Sequence, residues 1–138
     1  FHYFEQGVKQ LVIQTDLRAI AIFIVHLSLK YRHRQNQLEQ LHALTQDTDK
    51  EVIIAGDFNT FTGQQELFLF MRAAGLRSAN SLGLPSFPST RPRFELDFVL
   101  VSREIEVLDF RVPDIRYSDH RPVICDFNVN RVSQASAA

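Results

Sequence analysis

Residues 20–25 read IAIFIV, an unbroken apolar run of β-branched, aromatic and alanine side chains. With Ala19 in front, the run is seven residues long and stops at His26. That is far short of the ~20 residues that cross a bilayer. It also lacks the polar alternation of a strand with one wet face. The pattern predicts a strand over residues 19–26 covered on both faces, and hence a sheet with further layers on either side. The flanking sequence supplies partners: residues 8–15 and 51–56 (EVIIAG) read as strands, the first joined to IAIFIV through Thr15-Asp16-Leu17-Arg18. Between them, Leu38, Leu41 and Leu44 recur at helical spacing within 35–45, on an otherwise Gln-rich segment, so a core-facing helix is expected.

Further on, Thr62-Gly63-Gln64-Gln65 has the form of a capping box, and residues 66–74 predict a helix stopped by Gly75, with Leu67, Phe68, Phe70 and Met71 facing the core. Residues 78–93 read as loop, since Pro85, Pro88 and Pro92 each remove a ladder donor. Strands are expected over 95–102, 104–111 and 123–129, with a turn through Pro113 and Asp114. Alternating strands and helices indicate an α/β sandwich. Nothing divides the chain, so one domain is expected over residues 1–130, followed by a flexible tail over 131–138.

Composition closes off other classes. A content of 45% apolar and 22% charged residues excludes a disordered polyelectrolyte. Fifteen basic against sixteen acidic residues leave a net charge of −1, without the excess that drives non-specific duplex binding. Cys125, the single cysteine, excludes an internal disulfide framework and a cysteine zinc site. No charged segment leads into an apolar one at the start, so a cytoplasmic location is expected. The chain opens on Phe1 rather than Met, as a fragment or a processed chain would.

Polar residues recur where the predicted strands end. IAIFIV terminates in His26, and VIIAG terminates in Asp57 with Asn59 two positions on; Asp97 opens LDFVLV, and Asp119-His120 precede PVICDF. Sites on α/β sheets gather at strand ends, where loops present side chains that the sheet spaces. If all these residues share one edge, strands 19–26 and 52–56 run antiparallel to strands 96–101 and 123–129.

His26-Leu27, Gly56-Asp57-Phe58-Asn59, Leu96-Asp97-Phe98 and Ser118-Asp119-His120-Arg121-Pro122, in this order and rough spacing, resemble the endonuclease/exonuclease/phosphatase superfamily. The segment Phe87-Pro88-Ser89-Thr90-Arg91-Pro92 is similar to that of bacterial members without an assigned substrate. The resemblance implies a partial four-layer α/β sandwich of the deoxyribonuclease-I-like type, with a mixed, mostly antiparallel sheet and flanking helices. It further implies a magnesium-dependent phosphohydrolase, with manganese as a substitute, acting on a phosphodiester of a nucleic acid, a phospholipid head group or a small molecule. In the implied site Asp97 orients His120 by accepting its hydrogen bond. His120 serves as base or stabilises the scissile phosphate, and Asp57 orients or deprotonates the attacking water. Asn59 would donate to a phosphate oxygen, His26 would donate to a non-bridging oxygen or assist the leaving group, Asp119 would ligate the metal, and Arg121 and Arg91 would hold substrate phosphates. Family members carry an asparagine and a metal-binding glutamate ahead of these motifs. Glu5 has no such motif around it, so the chain is expected to be the C-terminal portion of the domain.

Blander assignments compete for several of these residues. A histidine ending a buried strand, such as His26, can simply be hydrogen-bonded core, and Asn59 can form an Asx turn. The run Lys30-Tyr31-Arg32-His33-Arg34 reads first as a solvated face, and the twelve Phe as core rather than a base-stacking platform. Ser118 lies in no Gly-x-Ser-x-Gly elbow, and His26, His33 and His42 lack the spacing of a helical zinc pair. The rival class is a non-catalytic phosphate-binding or scaffold module of the same fold.

Overall fold

A computed structural model of the chain describes residues 2–4, 8–14 and 19–129. In chain order the elements are β1 (His2–Phe4), β2 (Val8–Gln14), β3 (Ala19–His26), α1 (Tyr31–Gln46), β4 (Glu51–Asp57), α2 (Gln64–Ala74), β5 (Leu76–Ser78), β6 (Asp97–Ser102), β7 (Ile105–Arg111) and β8 (Ile124–Val129). The turn predicted at 15–18 and the tail predicted at 131–138 lie outside the described residues. Six strands form one sheet in the order β1-β2-β3-β4-β6-β5, and β7 and β8 form a separate two-stranded ribbon. Among the described residues only β3 and β4 pair in parallel; the other pairings are antiparallel.

The period of two along β3 distributes its side chains between two cores. Ala21, Phe23 and Val25 meet Val52 and Ile54 of β4, Phe98 and Leu100 of β6, Leu38 and Leu41 of α1, and Leu67, Phe70 and Met71 of α2. On the opposite face Ile20 joins Ile53, Val101 and Ile105, with Val107, Phe127 and Val129 of the ribbon packed against them. The described residues thus stack as helices, sheet and ribbon, a mixed α/β sandwich. The expected burial of IAIFIV on both faces holds fully on the helix side only. On the ribbon side it fades along the strand, from Ile20 at 3% exposure to Ile24 at 44%.

Three local expectations are corrected. No side chain caps either helix; α2 starts at Gln64 behind Gly63, and the capping box is not made. Phe68 of the α2 stripe is exposed, while Leu67, Phe70 and Met71 are buried. Arg34 leaves the solvated run and is buried: its Nε and Nη2 donate to Glu66 Oε1 and Oε2 at 2.6 and 3.0 Å, and its Nη1 donates to the carbonyls of Ser28 and Leu29. This fork ties the first turn of α1 to the first turn of α2, beside the sheet edge where β3 and β4 end. Gly75 ends α2 in the left-handed conformation, as its position predicts.

Candidate active site

Strand register sets the site. His26 is the parallel partner of Asp57, and Asp57 is the antiparallel partner of Asp97, so three polar residues lie in a row across β3, β4 and β6 at one sheet edge. The row is held beyond the strands, because Leu27 N–H donates to the Asp57 carbonyl at 2.8 Å and Phe58 N–H to the Leu96 carbonyl at 2.9 Å. Gly56 makes this closeness possible. Its φ is +142°, and a Cβ there would stand 1.9 Å from the Val25 carbonyl oxygen of β3. Only glycine adopts that backbone at so short an approach.

The predicted strand directions hold for β3, β4 and β6. They do not extend to the last strand as a sheet neighbour, since β8 pairs with β7 in the ribbon. His120 therefore reaches the row from a loop. Loop 85–94 docks it: Ser89 N–H donates to the Asp119 carbonyl at 2.7 Å, Arg121 N–H to the Ser86 carbonyl at 2.8 Å, and Arg121 Nε to the Ser89 carbonyl at 2.7 Å.

So placed, His120 Nδ1 donates to Asp97 Oδ2 at 2.7 Å. The same oxygen accepts from Ser86 Oγ at 2.5 Å, and Asp97 N–H donates back to that hydroxyl at 3.3 Å. The imidazole's other nitrogen, Nε2, faces Asp57 Oδ2 at 3.8 Å, and His26 Nε2 approaches that oxygen at 3.5 Å. Asp57 Oδ1 accepts from Asn59 N–H at 2.8 Å. The Asx turn thus belongs to Asp57 rather than to Asn59, whose φ of +51° follows from it. Asn59 Nδ2 donates to the Leu27 carbonyl at 2.7 Å, which fastens the end of β3.

Electrostatics separate the two titratable partners. Burial is the largest influence on Asp57 and lifts its carboxyl above the usual range; the Asp97 charge adds to this, against the Asn59 hydrogen bond and both histidines. Burial pulls the His120 imidazole down. The Asp97 hydrogen bond and the charges of Asp97, Asp57 and Asp119 outweigh it, and the ring ends above its usual 6.5.

One ligand atom each from Asp57, Asp97 and His120 lies within 4.8 Å of the others. Two converging carboxylates fit a hard divalent ion that keeps most of its coordination as water. Among the remaining predicted site residues, Asp119 has an exposed side chain and stands outside this cluster. Arg121 Nη2 is engaged by Asp114 Oδ1 at 2.9 Å, and Arg91 is exposed. His26 is not core: its side chain is 74% exposed. Sequence reasoning missed Ser86, fully buried at Asp97, and Phe87, whose ring lies 4.8 Å from that of His120. The proline-spaced segment ahead of Leu96-Asp97 was their only signal.

Comparison with known proteins bears on the fold and the family. No curated protein matches the chain. Among solved structures, the endonuclease domain of TRAS1, a telomere-specific non-LTR retrotransposon, aligns with a TM-score of 0.73 at 18% identity, covering 91% of this chain and 62% of its own. The human Nocturnin catalytic domain with bound sulfate aligns at 0.64 and 23% identity, covering 89% of this chain and 52% of its own. A mannosyl-6-phosphatase of Bacteroides thetaiotaomicron aligns at 0.64 and 19%, covering 80% and 52%. The chain therefore spans between about half and three fifths of these structures' length, and the likeness is one of fold. Among the described residues no helix is long and apolar enough to cross a membrane. The sequence profile of the Endonuclease/Exonuclease/phosphatase family matches residues 7–120, most of the chain, and the chain belongs to that family.

Proposed function

We propose that the chain carries the water-activating half of a divalent-metal-dependent phosphodiester hydrolase. The observation that carries this reading is the row His26, Asp57, Asp97 with His120 fastened to Asp97. Phosphoryl transfer asks a protein mainly for positioning and for charge stabilisation. The opposite placement of the two titratable groups in their environments divides the labour. Asp57, with its raised carboxyl, takes the proton of the attacking water through Oδ2, the oxygen that faces both histidines. His120, whose proton is favoured by the charges around it, presents Nε2–H to a phosphoryl oxygen, while Asp97 and Ser86 fix its tautomer and angle. His26, exposed at the mouth, donates to a second oxygen. Asn59 acts mainly through Asp57, by holding Oδ1 so that Oδ2 points outward.

When bound, a divalent ion, magnesium or manganese, supplies Lewis-acid stabilisation of charge on the phosphoryl oxygens. Asp97 would hold it, with Asp57 Oδ2 left to the attacking water and Asp119, outside the cluster, a further carboxylate from the docked loop. Arg91, exposed, would meet substrate phosphate; Arg121 serves first to dock the loop.

The test is hydrolysis of bis-p-nitrophenyl phosphate with Mg2+, with EDTA, and by His120→Ala. Hydrolysis dependent on the ion and lost in the variant is expected. Hydrolysis unaffected by EDTA, or retained by His120→Ala, refutes the assignment. Phosphate binding without turnover selects the non-catalytic module instead.

A further inference from the structure

Asn80 is 1% exposed, and both polar atoms of its side chain are engaged. Its Oδ1 accepts from Leu84 N–H at 2.9 Å, and its Nδ2 donates to the Leu84 carbonyl at 2.9 Å and to Glu95 Oε1 at 3.0 Å. An asparagine that only forms a turn needs its own backbone about two residues on and nothing further. Asn80 instead reaches four positions on to Leu84 and fifteen positions on to Glu95. Those two residues flank loop 85–94, so one buried amide closes the loop at its base.

The clasp is anchored to regular structure. Asn80 N–H donates to Ser78 Oγ at 3.2 Å, at the end of β5, and the Asn80 carbonyl accepts at 3.2 Å from Nε2 of Gln64, the first residue of α2. The same Nε2 donates to Glu95 Oε1 at 3.2 Å, so the carboxylate joins loop and helix. Beyond the clasp the two sides of the loop stay together: Ser86 N–H donates to the Phe94 carbonyl and Phe94 N–H to the Phe87 carbonyl, both at 2.9 Å. At Ser86 this frame meets the site, because its Oγ donates to Asp97 Oδ2 and its carbonyl accepts from Arg121 N–H beside His120. A short path of hydrogen bonds and backbone thus runs from Asn80 through Leu84 and Ser86 to the oxygen that holds His120 Nδ1.

We propose that Asn80 is a positioning residue of the site: with Glu95 it clasps loop 85–94, so that Ser86 and the His120 segment keep their places against Asp97. This deepens the hydrolase reading and rests on it for the reaction that His120 serves. Asn80 meets no reacting atom and acts through Ser86. Opening the base of the loop lets Ser86 drift from Asp97, and a displacement of about 1 Å costs up to about 100-fold in rate. The loss falls on turnover, since His120 works on charge that develops in the transition state.

Hydrolysis of bis-p-nitrophenyl phosphate with Mg2+ by Asn80→Ala, Glu95→Ala and Glu95→Gln tests the clasp, each variant being kept well below its melting temperature. A second readout does not depend on turnover: the imidazole 15N resonances of His120, which report the tautomer of the neutral ring. Asn80→Ala is expected to lower kcat about 10- to 100-fold, more than it changes KM, and to loosen the Nδ1–H tautomer that Asp97 enforces. Glu95→Ala opens one arm and is expected to do the same to a smaller extent, while Glu95→Gln keeps an acceptor for Nδ2 and recovers most of that loss. Leu82→Ala, at a side chain 82% exposed on the same segment, is the control and keeps both readouts. An asparagine that serves the fold alone lowers the melting temperature and moves neither readout. In the folded variants, a kcat within about twofold of wild type, a loss confined to KM, or a wild-type tautomer would each overturn the proposal. If Asn80→Ala does not fold, Glu95→Ala decides by the same criteria. If the native chain does not hydrolyse the ester but the tautomer shifts in the variants, the clasp stands and the hydrolase assignment fails.

Discussion

Asp97→Asn is the most informative change to the site, because it removes a charge and leaves the shape. In the native site Asp97 Oδ2 accepts from both His120 Nδ1 and Ser86 Oγ, and the side chains of Asp97 and His120 are 19% and 24% exposed. A hydrogen bond to a charged group contributes ~1.5–3 kcal/mol. Partial exposure places this one toward the lower end, which corresponds to a loss of about 10- to 30-fold in hydrolysis at pH 7. The sign of the pH effect follows from the raised His120 pKa. On the proposed reading the protonated ring is the working form, so activity is expected to fall as pH rises through that pKa. Without the Asp97 charge the pKa drops, and the basic limb of the pH–rate profile moves to lower pH. The assay is the pH dependence of phosphodiester hydrolysis, paired with an NMR titration of the His120 Cε1–H resonance that does not depend on turnover. An unchanged titration midpoint, or a variant rate within twofold of wild type across the profile, would refute the coupling of Asp97 to His120.

Asp57→Asn is expected to abolish hydrolysis while raising the melting temperature at pH 7. The carboxyl's folded pKa lies above its unfolded value, so ionisation costs stability as pH rises through it; the gain should vanish near pH 3, where the wild-type group is protonated. Gly56→Ala puts a Cβ on the Val25 carbonyl at a positive φ and should destabilise by at least ~1–3 kcal/mol in urea unfolding. Glu66→Gln leaves the Arg34 guanidinium buried against a neutral amide and should cost up to about 3–5 kcal/mol. The double variant Arg34→Met/Glu66→Leu should cost less than the single one, measured in the same unfolding assay.

Much of the sheet and site was legible because both rest on local pattern. Strand β3 announced itself as IAIFIV, and His26, Asp57 and Asp97 stood at strand ends that the register then aligned. What the chain hid depends on contacts between distant segments. Burial of Arg34 depends on Glu66, thirty-two positions away, and no run of charges reveals that partner. Likewise Ser86 gains its meaning only from Asp97 and His120 arriving on either side of it. The exposure of Ile24 follows from which end of the sheet the β7–β8 ribbon covers, a tertiary matter. Placement of β8 outside the main sheet escaped the reading because strand pairing is set by topology, while strand ends show only direction.

The carboxylates of the site belong to the sheet, whereas its imidazole rides on a docked loop. These two parts are held by bonds of different kinds: the first by ladder and core, the second by a handful of hydrogen bonds to Ser86, Ser89 and Asp97. A segment so tethered can lift in a local opening that leaves the core intact. On the proposed hydrolase reading, warming is expected to disarm the site before it melts the fold, and turnover would serve as a thermometer for the docking of one loop.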